Sequence, residues 1–165
     1  MNFGGLLFSL LGIIAALLSL WFGLKIYFII SLQKLLSQIS PQNRTIQKQA
    51  LWYLLIPIFN LLWNFNVMNK IAYSLRLEYY SLGLNFPNNP TSTIGIMWAF
   101  SSSFYLIIPL VPLSTDLKMP ISVFATFLYL LSVGLFFAYW SAIVEHQKIL
   151  NSIRQSQKPS SSESN

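Results

Sequence analysis

Charge is missing from four long stretches of this chain, residues 1–24, 49–69, 79–115 and 119–144, and each is rich in apolar side chains. One helical crossing of a bilayer needs about 20 such residues, so every stretch is long enough. Lipid offers no partner to a backbone N–H or C=O, which leaves helices or closed barrels as spanning structures. The alternation of barrel strands is absent. The sequence therefore predicts an all-α integral membrane protein: a compact bundle of four hydrophobic helical segments at about 3–32, 49–80, 94–113 and 120–148. These form one domain over 1–155, followed by a disordered polar tail at 156–165. With 55% hydrophobic and 8% charged residues in 165, a water-soluble fold of this size could not hide its apolar surface.

Ten Lys and Arg stand against four acids, and they flank the apolar runs. The expected partner is a bilayer with anionic headgroups, which attracts each such cation by about 1 kcal/mol, and not a nucleic acid. The chain has no cysteine, so disulfides and thiolate metal sites are excluded. The first run has no basic residue before it and is longer than a signal-peptide core. It reads as a permanent helix, with Lys25 and Lys34 behind it setting its N-terminus outside.

Within that first run Gly5, Ser9, Gly12, Ala16, Ser19 and Gly23 recur at alternating spacings of four and three. A mean period of 3.5 keeps such a seam facing one partner, and small side chains let two backbones approach closely in lipid. The partner is another segment of this chain, a second copy, or an unidentified membrane protein.

The second run, "LLIPIFNLLWNFN" at 54–66, carries Pro57 with Asn60 and Asn64. Proline lacks an N–H and disfavours helical geometry at the residue before it, so the helix breaks there. The segment then crosses with a kink, or turns at the break and leaves on the side it entered, with the two asparagines capping or bridging the turn. Downstream, Asn66, Asn69, Lys70, Tyr73 and Arg76 share one helical face, and Phe65, Met68, Ile71, Ala72, Leu75 and Tyr79 the other. This is the pattern of an interfacial helix, or of the amphipathic continuation of a crossing helix packed on the bundle. Four full crossings would divide the ten cations five and five; a re-entrant second segment places nine on one side, leaving Lys118 on the other. The positive-inside tendency favours re-entry.

In the third segment Gly95, Ala99 and Ser102 continue the small-residue theme, and the serines at 101–103 can bond to their own carbonyls. Thr91, Ser92 and Thr93 are cap candidates. Pro120 suits the first turn of the fourth helix, and Tyr139 and Trp140 read as headgroup-level anchors. Glu145 and Lys148 have ion-pair spacing. Chemistry is sparse: one histidine, His146, no nucleophile elbow, and no cluster of metal ligands. No catalytic residue, metal or cofactor is expected.

Arg44, Thr45, Ala50, Ile56, Pro57, Phe59, Asn60, Trp63 and Phe65 form an Arg-Thr, Ile-Pro-x-Phe-Asn, Trp-x-Phe pattern. In this pattern, and in "FAYWSAIVEHQKIL" near the end, the chain resembles a family of uncharacterised small bacterial inner-membrane proteins over roughly 40–150. That family usually has a proline between the Arg-Thr pair and the alanine, where this chain has "IQKQ". The resemblance implies a bacterial inner-membrane address and carries no activity. The expected role is that of a non-enzymatic accessory or scaffold subunit; the alternative is a small channel or transporter component.

Overall fold

A computed structural model describes residues 3–84, 90–108 and 115–157, with side chains left out at 3–7, 57–58, 90, 105–106 and 115–118. Among the described residues every regular element is helical: α1 (Phe3–Gln38), a 3₁₀ turn (Pro41–Asn43), a 3₁₀ helix (Lys48–Leu55), α2 (Pro57–Ser81), α3 (Pro90–Ile107) and α4 (Thr115–Ser156).

Side-chain pairs fix the direction of each helix. Trp21 meets Phe136 and Phe28 meets Tyr139, while Gln147 bonds to Ser31 and Gln38 to Asn151. Both numbers rise together, so α1 and α4 are parallel. Ser103 reaches Leu61 and Gly95 lies against Met68 and Tyr139, so α3 runs opposite to α2 and α4. The C-terminal ends of α1, α2 and α4 gather at one pole, and most of the charge is there. The opposite pole holds the free ends of α1 and α4, and α1 has no charged residue before Lys25.

The core sits toward the charged pole. In α1 and the residue just after it, Phe28, Ile29, Leu32, Leu35, Leu36 and Ile39 are buried, a one-three-three-one-three spacing that makes a single stripe. They pack on Met68, Ile71, Leu75, Trp98, Phe136, Tyr139, Ile143 and Leu150. At Gly95 a Cβ would come within 2.8 Å of Tyr139 Cε2 and 3.1 Å of Met68 Cβ. Glycine there lets α2, α3 and α4 close on one another.

Toward the other pole the packing stops. From Phe8 to Phe22 every residue of α1 is exposed, and most of α4 from 119 to 131 is too. Over Phe8–Gln38 and Met119–Ser156 the two helices are long and apolar enough to cross a membrane. In their most apolar windows only 11% and 17% of residues are buried, unlike the core helix of a soluble protein.

Several expected boundaries move. α1 continues past 32 to Gln38 because its buried stripe continues. α3 starts at Pro90, so Thr91, Ser92 and Thr93 lie inside the helix and do not precede it. The expected end near 113 and the connection at 109–114 lie outside the described residues. α4 starts at Thr115, leaving Pro120 inside the helix. The tail from 158 also lies outside the described residues.

Candidate functional site: a folded-back hairpin and a polar staple

The most distinctive local structure is the one built on the Pro57 break. Leu51 and Leu54 are buried on one side of the 3₁₀ helix, as expected where residues three apart eclipse. Ile56 belongs to both arms: its N–H donates to Tyr53 O at 3.2 Å, closing the 3₁₀ helix, and its carbonyl accepts from Asn60 N–H at 2.8 Å, opening α2. Proline at the first position of α2 costs no hydrogen bond and holds Ile56 extended, at φ −81° and ψ 111°. The arms then run back to back. Trp63 Nε1–H donates to Ala50 O at 2.9 Å, and Tyr53 packs edge-on to Phe59 and Trp63. Nearer the open end, the Thr45 N–H donates to Ser74 Oγ, and its hydroxyl reaches Lys70 O at 2.8 Å. Gln33 of α1 donates to Lys48 O, tying the first arm to the bundle.

Arg44 caps α1. Its Nε donates to Ile39 O at 2.8 Å and its Nη2 to Ser37 O at 3.4 Å, satisfying carbonyls that a helix end leaves open. Next to it lies Glu78, buried, whose carboxylate accepts from the Ser40 N–H, the Ser40 hydroxyl, Asn43 Nδ2 at 2.7 Å and Arg154 Nη2 at 3.4 Å. One side chain thus ties the loop after α1, α2 and α4 together. Burial opposes its charge, but the bonds from Asn43, Ser40 and Arg154 outweigh it and hold the carboxyl below its usual range. Alongside, Tyr79 Oη and His146 Nδ1 are 2.8 Å apart, and Gln147 donates to Ser31 O at 2.7 Å.

The predicted residues fare differently. Tyr73, Asn69 and Arg76 are exposed, Asn66 and Lys70 half-buried, and the opposite face is buried apart from the half-buried Phe65, as the amphipathic pattern requires. Asn60 and Asn64 do not cap the turn: Ile56 has no side-chain cap bond, and both Oδ1 atoms are buried without a hydrogen-bond partner. The break needs no side-chain cap because Pro57 and the Ile56 backbone already close it. The described part of the α1 seam is exposed rather than packed into the bundle. Gly12 and Gly23 have nothing within 4 Å of an added Cβ, and Ser9, Ala16 and Ser19 are exposed; the surroundings of Gly5 lie outside the described set. Its small side chains are spread along the part of α1 that projects beyond the core. Tyr139 is a core residue and not a headgroup anchor, because Gly95 opens a slot for its ring between helices. Glu145 and Lys148 do not pair; among the described residues the ion pair is Arg154 with Glu78. The serines at 101–103 do bond to carbonyls of their own helix.

The chain matches no protein-family model, no curated protein and no solved structure.

Glu78 was not anticipated as a site. A signal existed, since it follows Ile71 and Leu75 at helical spacing and so falls on the apolar face of α2. Lys25 was also missed as a core contact: its ammonium lies 5.5 Å from the Trp21 ring and 5.0 Å from that of Trp98. Among the described residues no group of three or more acidic, His or Cys side chains could hold a metal ion.

Proposed function

We propose that this chain is a non-enzymatic, multi-pass protein of the bacterial inner membrane, an accessory or scaffold subunit. In this reading α1 and α4 cross the bilayer, the hairpin dips in from the charged side, and the charged pole projects into the cytoplasm. The observation that carries the reading is the division of α1 and α4 into exposed, charge-poor halves and buried, polar-stapled halves. The exposed length of α1 above Lys25, from Phe8 to Gly23, amounts to about 24 Å at 1.5 Å per residue, most of the thickness of a hydrocarbon core. The outward-facing seam of α1 supplies the assembly face, for a second copy or another membrane protein. The Arg-Thr, Ile-Pro-x-Phe-Asn, Trp-x-Phe pattern supports the likeness to the small bacterial family through its architecture: Arg44 caps, Thr45 pins, Ile56 turns and Trp63 ties the arms.

The natural absence of cysteine makes the topology testable in intact cells. Single cysteines at Gln42, Leu84 and Gln157 are expected to be shielded from an impermeant thiol reagent, and one at Ser114 to react. Labelling at Leu84 with Gln42 protected would replace the hairpin by a full crossing. For the seam, Gly12→Leu should abolish a detergent-resistant oligomer or a co-purifying partner, and Leu11→Ile should leave it intact.

A second reading, a channel or transporter component, is favoured by the unpartnered oxygens of Asn60 and Asn64 within the hairpin, since polar groups at membrane depth line solute paths. Ion or solute flux through liposomes containing the purified protein, lost in Asn64→Leu, would establish it; unchanged permeability would exclude it.

A further inference from the structure

We infer that Lys25 holds the phosphate of an anionic phospholipid whose chains lie along the uncovered upper length of α1. The inference rests on the membrane reading above and deepens it by naming one lipid class and its seat. Leu11, Ile14, Leu18, Trp21 and Lys25 follow one another at steps of three and four, which puts them on one stripe of α1. The same stripe runs on into Phe28, Ile29 and Leu32, all buried, so its upper part faces the way the bundle lies. Gly12, Ala16, Ser19 and Gly23 each stand two positions before a member of that stripe, about 200° round the helix. The small-residue seam is therefore on the opposite side.

Above Lys25 the stripe has no cover. Leu18, Ile14 and Leu11 are 63%, 46% and 53% exposed, so no neighbouring helix closes on α1 there, and in a bilayer lipid chains fill the space. At the foot of this open face the rings meet: Trp21 lies 5.9 Å from Phe136, and Trp98 lies 5.4 Å from Phe136 and 5.6 Å from Phe28. The Lys25 ammonium sits at this closure, 5.0 Å from the centre of the Trp98 ring and 5.5 Å from that of Trp21. It forms no hydrogen bond or ion pair with a described residue. The indole faces attract a cation but offer no oxygen to its three N–H donors. The acids with described side chains are engaged or turned away. Glu78 is held by Ser40, Asn43 and Arg154, and Glu145 stands nine positions after Phe136, on the far side of α4.

A lone cation at the foot of an apolar face calls for an anion that carries its own apolar tail. The order fits a lipid of the cytoplasmic leaflet, with its phosphate at Lys25 and its chains running up past Leu18 to Ile14. That length is about 17 Å at 1.5 Å per residue, close to one leaflet's share of a hydrocarbon core about 30 Å thick. Just below, exposed Tyr27 packs on Trp140 with ring centres 5.4 Å apart, and such rings gather at headgroup level. Charge complementarity picks the headgroup. With no acid beside Lys25, nothing would accept the amine of an ethanolamine or choline lipid, whereas a net negative headgroup keeps the full attraction of the ammonium.

The test uses the full chain in nanodiscs of equal phosphatidylglycerol and phosphatidylcholine, with the lipid retained after release read by native mass spectrometry. The wild type should retain the glycerol lipid about fivefold over the choline lipid, the scale of one lysine beside an anionic headgroup. Lys25→Met keeps an apolar stem against the two indoles and removes the charge; it should bring the ratio near one, while Lys25→Arg should keep the preference. Lys34→Gln, at an exposed lysine of the same helix, should leave the ratio unchanged. Equal retention by the wild type, a preference that survives Lys25→Met, or an equal loss in Lys34→Gln overturns the site. Glycerol phosphate has the anion without the chains and should not displace the retained lipid; displacement would give Lys25 to a soluble anion and overturn the lipid as occupant. Alkaline carbonate fractionation separates the two ideas. Protein in the membrane fraction without headgroup preference sinks the site and spares the membrane reading, while protein in the soluble fraction sinks both.

Discussion

The two halves of α1 belong to one unbroken helix but obey different rules. From Phe28 to Ile39 one stripe is buried and polar side chains find partners on other helices. From Phe8 to Phe22 every residue is exposed, and apolar groups point in every direction. A helix that is apolar all round has no face to offer water. The contrast therefore says that the second half was selected for other helices and the first for an apolar medium or for company. Small residues repeat the contrast. Gly95 and Ala99 of α3 lie inside the bundle, whereas the described members of the longer row in α1 are all exposed.

The sharpest way to break this comparison is at Glu78, on which three segments converge. Glu78→Leu removes all its charge-assisted bonds and should cost about 2–4 kcal/mol, measured by unfolding in mild detergent. The same contact sets a pH dependence. Because the folded carboxyl sits below its ordinary value of 4.5, its contribution is complete above that value. It is lost as pH falls through the lower folded value. Wild type should therefore lose stability relative to Glu78→Leu under acid conditions only.

A smaller effect is expected where helices close tightly. Gly95→Ala drives a methyl into Tyr139 and Met68 and should cost about 1–3 kcal/mol. Gly134→Ala, set in open space, should stay within about 0.5 kcal/mol of wild type. Equal losses at the two glycines would mean that the upper part of α4 is packed after all. A loss at the lower end of the range given for Gly95→Ala is expected for Trp63→Phe, which keeps a ring in the hairpin but drops the bond to Ala50 O. That loss, about 1 kcal/mol, is read as a lowered unfolding midpoint with no change in thiol labelling at Gln42.

What the sequence revealed was local. Pro57 forces a break because its ring constrains the residue before it, and the face carrying Asn69, Tyr73 and Arg76 follows from helical period alone. What it hid was non-local. The seam in α1 announces close approach but carries no address, so period could not say whether the partner lay in this chain. Tyr139 looked like an interfacial anchor because its burial depends on Gly95, 44 positions earlier. Glu78 sat on an apolar face in plain view, but its partners Ser40, Asn43 and Arg154 come from segments whose meeting only the fold specifies.

The parallel pairing of α1 with α4 has a consequence for synthesis. The hairpin closes over short separations, 13 residues between Trp63 and Ala50, and can form as soon as it is made. The bonds from Gln147 to Ser31 and from Gln38 to Asn151 span 116 and 113 residues. α1 must therefore wait for α4 before Ser31 and Gln38 are matched. Contacts of such range are slow to close. A nascent chain halted after α3 would hold α1 half-docked, its buried stripe open to chaperone or protease, and only arrival of α4 would end that exposure.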